Sequence, residues 1–188
     1  MRWSKVRKLV EDSFAESVRG RITVHGTTYS SYTACKCGRG WIAIDGKDRA
    51  DMQSLLQWPR YQGRGVATND WGQPIIEAGE RHKGCLVEPG EFTRAQLFEA
   101  CFEYVHSNPH ECLESDNPLI RSLAVLNAKV GRNRLKALAE GDDLHPLTRF
   151  LLEFRMEAEG LRRSERHREP RPPRGVWRLQ ASDCIMQS

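Results

Sequence analysis

Two short runs carry the residue types that could hold a metal. Cys35-Lys36-Cys37-Gly38 and His82-Lys83-Gly84-Cys85 together offer three thiols and one imidazole on glycine-containing turns. Zinc takes four such ligands in a tetrahedron, so Cys35, Cys37, His82 and Cys85 form a candidate structural zinc site. The first pair has one intervening residue where zinc knuckles use two to four, which weighs against the site; no other cofactor is expected. A second polar group, His106, His110 and Cys112 with Glu111 and Glu114, straddles Asn108-Pro109. That proline breaks a shared helical face, so these residues read as caps or surface positions.

Catalytic and nucleotide-binding signatures do not emerge. No Gly-x-Ser-x-Gly elbow occurs, Gly63-Arg64-Gly65 is too short for a phosphate loop, and no cysteine carries a local signature pairing it with a histidine. Asp142-Asp143 and Glu153, Glu157 and Glu159 read as solvated loop and helix positions. Cys101, on the apolar face of an expected helix, reads as a small core residue.

Nucleic-acid contact has two candidate sources. Leu123 to Leu138 has the outline of two helices joined at Gly131, with Arg132, Arg134 and Lys136 at the second start, although Asn127 stands where such motifs place a small packing residue. The other source is the chain end, where Arg162, Arg163, Arg166, Arg168, Arg171, Arg174 and Arg178 face only three acids. Up to Leu161 the chain is balanced, with 22 basic and 22 acidic side chains, so the net charge of +4 belongs to this tail. Generic nucleic-acid binding over the whole surface is therefore not expected, and any steering of an acidic partner falls to one appendage.

The elements that must position these residues follow from periodicity. Trp3, Val6, Val10, Phe14 and Val18 predict one amphipathic helix stopped by Gly20, and Arg21 to His25 alternates as a strand. Tyr29 to Tyr32 is β-prone. Trp41 to Ile44 predicts a strand, Asp45-Gly46 a type I′ hairpin turn, and Lys47 to Met52 an exposed return strand. From Gln57 to Gly90, recurrent glycine and proline exclude one regular element, leaving either a binding loop or a linker. Thr93 then caps a helix carrying Leu97, Phe98, Cys101, Phe102 and Val105, and Asn117-Pro118 begins another carrying Leu119, Leu123, Leu126 and Val130. Arg132 to Ala139 and Pro146 to Leu161 are the last helices. The expected fold is α+β: an N-terminal helix and small antiparallel sheet (about 1–90), a C-terminal helical bundle (about 91–161), together one domain over 1–161. A flexible, disordered Arg/Pro-rich tail occupies 162–188, in which Val176-Trp177-Arg178-Leu179 is an apolar island that either docks elsewhere or folds back.

No apolar run is long enough for a signal-peptide core or a membrane span, and six cysteines without an export signal read as free thiols, so the expected location is the cytoplasm. Met1 to Arg7, Gly40 to Gly46, Asn117-Pro118-Leu119-Ile120-Arg121 through Leu126, Val130-Gly131-Arg132 and Leu135 resemble a family of uncharacterised bacterial proteins, over the body and not the tail. The resemblance implies a bacterial cytosolic origin and no particular chemistry. The expected function is a non-enzymatic protein-interaction role, adaptor, regulatory or immunity-type, with another protein as partner. The alternatives are a nucleic-acid-associated protein using the tail and Arg132 to Lys136, with weak contact by the tail, and a hydrolase or transferase with dispersed site residues.

Overall fold

Helix α1 (Trp3–Asp12) buries Val6 and Val10 and ends six residues earlier than its apolar period predicts. The computed structural model describes residues 1–28, 38–54, 60–141 and 143–161, and gives the reason. Ala15 N–H donates to the Leu126 carbonyl at 2.8 Å, and Ala128 N–H donates to the Ser13 carbonyl at 2.9 Å. The backbone of 13–15 thus bonds to a distant turn instead of continuing the helix. Phe14 and Val18 are still fully buried, because tight turns of three to four residues keep a near-helical period.

Strands β1 (Ile22–Thr28), β2 (Gly38–Ile44) and β3 (Lys47–Gln53) form an antiparallel sheet in that order. The β2–β3 turn has positive φ at both Asp45 (49°) and Gly46 (75°), as a type I′ turn requires. The outer edge of β1 is partly covered: Val24 N–H donates to Glu11 Oε1 of α1 at 2.9 Å. The β-prone residues Tyr29 to Tyr32 lie outside the described residues.

Five helices follow among the described residues: α2 (Arg94–His106), α3 (Pro109–Cys112), α4 (Pro118–Ala124), α5 (Arg132–Glu140) and α6 (Pro146–Ala158). Thr93 and Gln96 close a capping box on α2, and the Asn108, Asn117 and His145 side chains cap α3, α4 and α6, each ahead of a proline. Helix α4 stops at Ala124. Leu126 and Val130, expected on it, are buried from the turns that follow.

Glycine decides how closely α2 approaches the sheet. Gly26 and Gly40 are register partners on β1 and β2. A Cβ on Gly26 would stand 2.4 Å from the Phe98 ring, and one on Gly40 2.8 Å from Leu97. The helix therefore packs onto bare backbone. One buried apolar cluster runs from α1 through the sheet into α2, α4 and α6, with Cys101 inside it as expected. Among the described residues, no helix is long and apolar enough to cross a membrane.

Candidate functional site

Two concavities stand out, one polar and one apolar. The polar cleft, about 360 Å³, lies between the glycine-rich stretch and the starts of α4 and α6; Asn69, Gln73, Arg81, Glu91, Arg121 and His145 are among its lining residues. The stretch from 60 to 91 is anchored rather than loose. Gln73 Nε2 donates to Asn117 Oδ1 at 3.2 Å, which ties one turn to the cap of α4, and Gln96 Nε2 donates to the Gly72 carbonyl at 3.4 Å.

Two buried carboxylates complete the anchoring. Glu88 is fully buried and accepts from His82 N–H at 2.6 Å, His82 Nδ1 at 2.7 Å and Arg60 Nη2 at 3.0 Å. Glu91, 2% exposed, accepts from Arg81 through both guanidinium nitrogens, from His145 Nε2 at 2.9 Å and from Glu88 N–H at 2.8 Å. Burial alone would raise both carboxyls. In Glu88 the bonds from His82 outweigh that burial, and in Glu91 those from His145 and Arg81 do, so each lies below its ordinary 4.5.

The histidine tautomer follows from its partners. His145 Nδ1 accepts the Leu147 N–H at 3.1 Å as the cap of α6, so the ring proton is on Nε2 and points at Glu91. Arg81 Nη2, 3.1 Å from that Nε2, then faces a second donor and makes no hydrogen bond to it. A general base needs a lone pair free to take a proton. His145 has none to offer in this arrangement; Glu91 accepts four hydrogen bonds and Glu88 three.

The apolar groove, about 650 Å³, runs between α1 and α2 over Trp3, Val6, Phe98 and Phe102. The Trp3 and Phe98 rings stack at 3.9 Å between centroids, 11° from parallel, and the Arg94 guanidinium also lies over the Phe98 ring, 4.7 Å from its centroid. Phe102, expected on the buried face of α2, is instead 47% exposed, because α1 and the sheet cover only part of a wide apolar stripe. Glu99 and Glu103 border the groove, and among the described residues neither has an ion-pair partner.

The candidates from sequence are placed as follows. Cys35 and Cys37 lie outside the described residues. Cys85 donates its thiol hydrogen to the Val87 carbonyl at 2.9 Å, and burial pushes its pKa up; His82 is held by Glu88. Among the described residues no group of three metal-type ligands occurs. Arg132 Nε lies 3.8 Å from Glu159, Arg134 Nη1 donates to His110 Nδ1 at 2.7 Å with Glu114 3.9 Å away, and Lys136 is exposed. Asn127 is buried, donating to the Tyr104 hydroxyl at 2.6 Å. Arg162, Arg163, Arg166, Arg168, Arg171, Arg174 and Arg178 lie outside the described residues.

Glu88, Glu91 and His145 were not singled out from sequence. The available signal was Glu88-Pro89-Gly90-Glu91: a tight turn, with Gly90 at φ 83°, bringing a carboxylate back onto its own backbone just before a helix cap.

The chain is thus an α+β protein with a hydrogen-bonded polar cluster and an open apolar groove. It belongs to the SF0329 protein family, whose family model matches residues 2–156 and leaves out the tail. Neither the curated proteins nor the solved structures give a match.

Proposed function

We propose that the protein is a non-enzymatic interaction protein of the bacterial cytosol, adaptor, regulatory or immunity-type, that seats a segment of a partner protein in the α1–α2 groove. The observation that carries this reading is the exposed Phe102 ring in a groove lined by Trp3, Val6 and Phe98, with Glu99 and Glu103 at the border. The fitting segment is amphipathic, apolar on one side with lysine or arginine at its flank. Burying an aromatic ring of this size contributes about 1.5–3 kcal/mol, and such anchors dominate interface energetics. The hydrogen bonding of Glu88, Glu91 and His145 supports a structural role for the polar cluster. The free thiols of Cys85, Cys101 and Cys112 support an intracellular setting.

The test is comparative capture from nuclease-treated native lysate by full-length protein and by Phe102→Glu. A stoichiometric protein kept by the first and lost by the second is the expected result. Equal capture by both removes the groove from the interaction, and recovery of nucleic acid alone favours the basic tail instead.

A further inference from the structure

We infer that the α1–α2 groove is the seat of the chain's own segment Val176-Trp177-Arg178-Leu179, which a partner must displace. Chemistry and reach favour this occupant. The segment is an apolar island within residues 162–188, with Arg174 beside it and Arg178 in it. The groove offers the complement: an apolar lining with the exposed Phe102 ring to receive Trp177 and Leu179, and two carboxylates, Glu99 and Glu103, to meet the guanidinium groups. Arginine prefers such a setting, stacking on rings while pairing with carboxylates.

The tether is long. Helix α6 ends at Ala158, and the residues from Arg162 to Gly175 span up to roughly 45–50 Å when extended. A body of about 160 residues has a radius of gyration near 15 Å, so the extended tether is longer than the body is wide.

That a partner must displace the segment rests on the reading under Proposed function. The seat itself is tested without any other protein, so the two can fail separately. Full-length chain carrying the photocrosslinking residue p-benzoylphenylalanine in place of Phe102 is irradiated as an equal mixture of isotopically light and heavy protein, and the joined peptides are read by mass spectrometry. Crosslinks from position 102 to 176–179 within one isotope are expected. Mixed-isotope crosslinks would make the occupant a second copy, and crosslinks to other residues alone would empty the seat; either overturns the inference.

A labelled peptide covering Arg171 to Asp183 gives the second readout. A tethered segment acts as a competitor at millimolar effective concentration. The peptide should therefore bind full-length Trp177→Ala/Leu179→Ala about tenfold more tightly than the unaltered chain, and adding Glu99→Lys/Glu103→Lys should remove that binding. Equal affinity for the first two chains, or no effect of the charge reversal, overturns the inference.

Discussion

Replacing Arg155 with methionine should cost more stability than any surface change in this chain. Its side chain is 3% exposed. Nη1 donates to the carbonyls of Val125 at 2.8 Å and Asn127 at 2.7 Å, Nη2 donates to Val130 at 2.8 Å, and Nε donates to Glu159 Oε1 at 2.8 Å. These carbonyls belong to the turns after α4, where a helix end leaves acceptors without helical partners. One planar guanidinium satisfies all three. Methionine preserves most of the stem's volume and removes every donor, taking these bonds from the buried Val125 and Val130 carbonyls and from a carboxylate that is 13% exposed, while Asn127 keeps the Val130 N–H at 3.0 Å.

Breaking a buried ion pair by removing one partner costs about 3–5 kcal/mol, and each orphaned carbonyl adds up to about 1–3 kcal/mol where water cannot enter. We expect a loss of about 4 kcal/mol for Arg155→Met. Arg155→Lys should lose about half of that, because a single ammonium cannot span acceptors on three residues. Urea denaturation followed by far-UV circular dichroism measures this directly. With a slope of about 2 kcal/mol per molar urea, the midpoint should fall by about 2 M for methionine. A fall below about 0.5 M would refute the reasoning, since it would mean that dehydrating the guanidinium already cancels its bonds in the native protein.

Two further substitutions probe the polar cluster and the sheet. Glu88 and Glu91 bind fewer protons when folded than when unfolded, because their folded pKa values are depressed. Their contribution is therefore present above the ordinary carboxylate value of 4.5 and is lost as pH falls through the lower folded values. Glu91→Gln should destabilise the protein by about 2–4 kcal/mol at neutral pH and flatten the acid limb of a stability–pH curve; parallel curves for the two proteins would contradict this. Gly26→Ala places a methyl 2.4 Å from a Phe98 ring already stacked on Trp3, so the ring must move. A loss of about 1–3 kcal/mol is expected in thermal unfolding, with a changed near-ultraviolet dichroism from Trp3; an unshifted melting temperature would show that α2 is not seated on bare backbone.

Features whose chemistry is local were legible in the sequence. Thr93 as a helix cap, Asn117 before Pro118, and Asp45-Gly46 each carry their own geometry within four residues, and each is found as expected. Period alone misled where turns imitate helices: Phe14, Val18, Leu126 and Val130 are buried as expected but not on helices. The two halves of that error share one cause, since the backbone of 13–15 pairs with that of 126–128 across the chain. Glu91 was illegible for a related reason. Its partners Arg81 and His145 lie 10 and 54 residues away, and nothing near Glu91 announces either. The exposure of Phe102 depends on how much of α2 its neighbours cover, a property of packing that no helical period contains.

The polar cluster and the apolar groove are mechanically linked, which bears on what each is for. Glu91 could act as a base only by giving up a bond from Arg81 or His145, at about 1.5–3 kcal/mol for a charged partner, and its lowered pKa would make it a weak one. What its bonds do achieve is to hold His145, the cap of α6, against the glycine-rich stretch. The far end of α6 carries Arg155, which fixes the turns at 125–130, and those turns pair with 13–15 at the end of α1. Helix α1 supplies one wall of the groove. A chain of polar contacts thus runs from the polar cluster to the end of α1, while α1 and α2 are tied directly by Trp3 stacked on Phe98 and by the Ser13 and Tyr104 hydroxyls, 2.8 Å apart. Arg155→Met should loosen both stability and groove binding, whereas Phe102→Glu should abolish binding while leaving the urea midpoint within about 0.5 M. A Phe102→Glu chain that unfolds as readily as Arg155→Met would show that Phe102 is structural, and the groove would lose its claim to a partner.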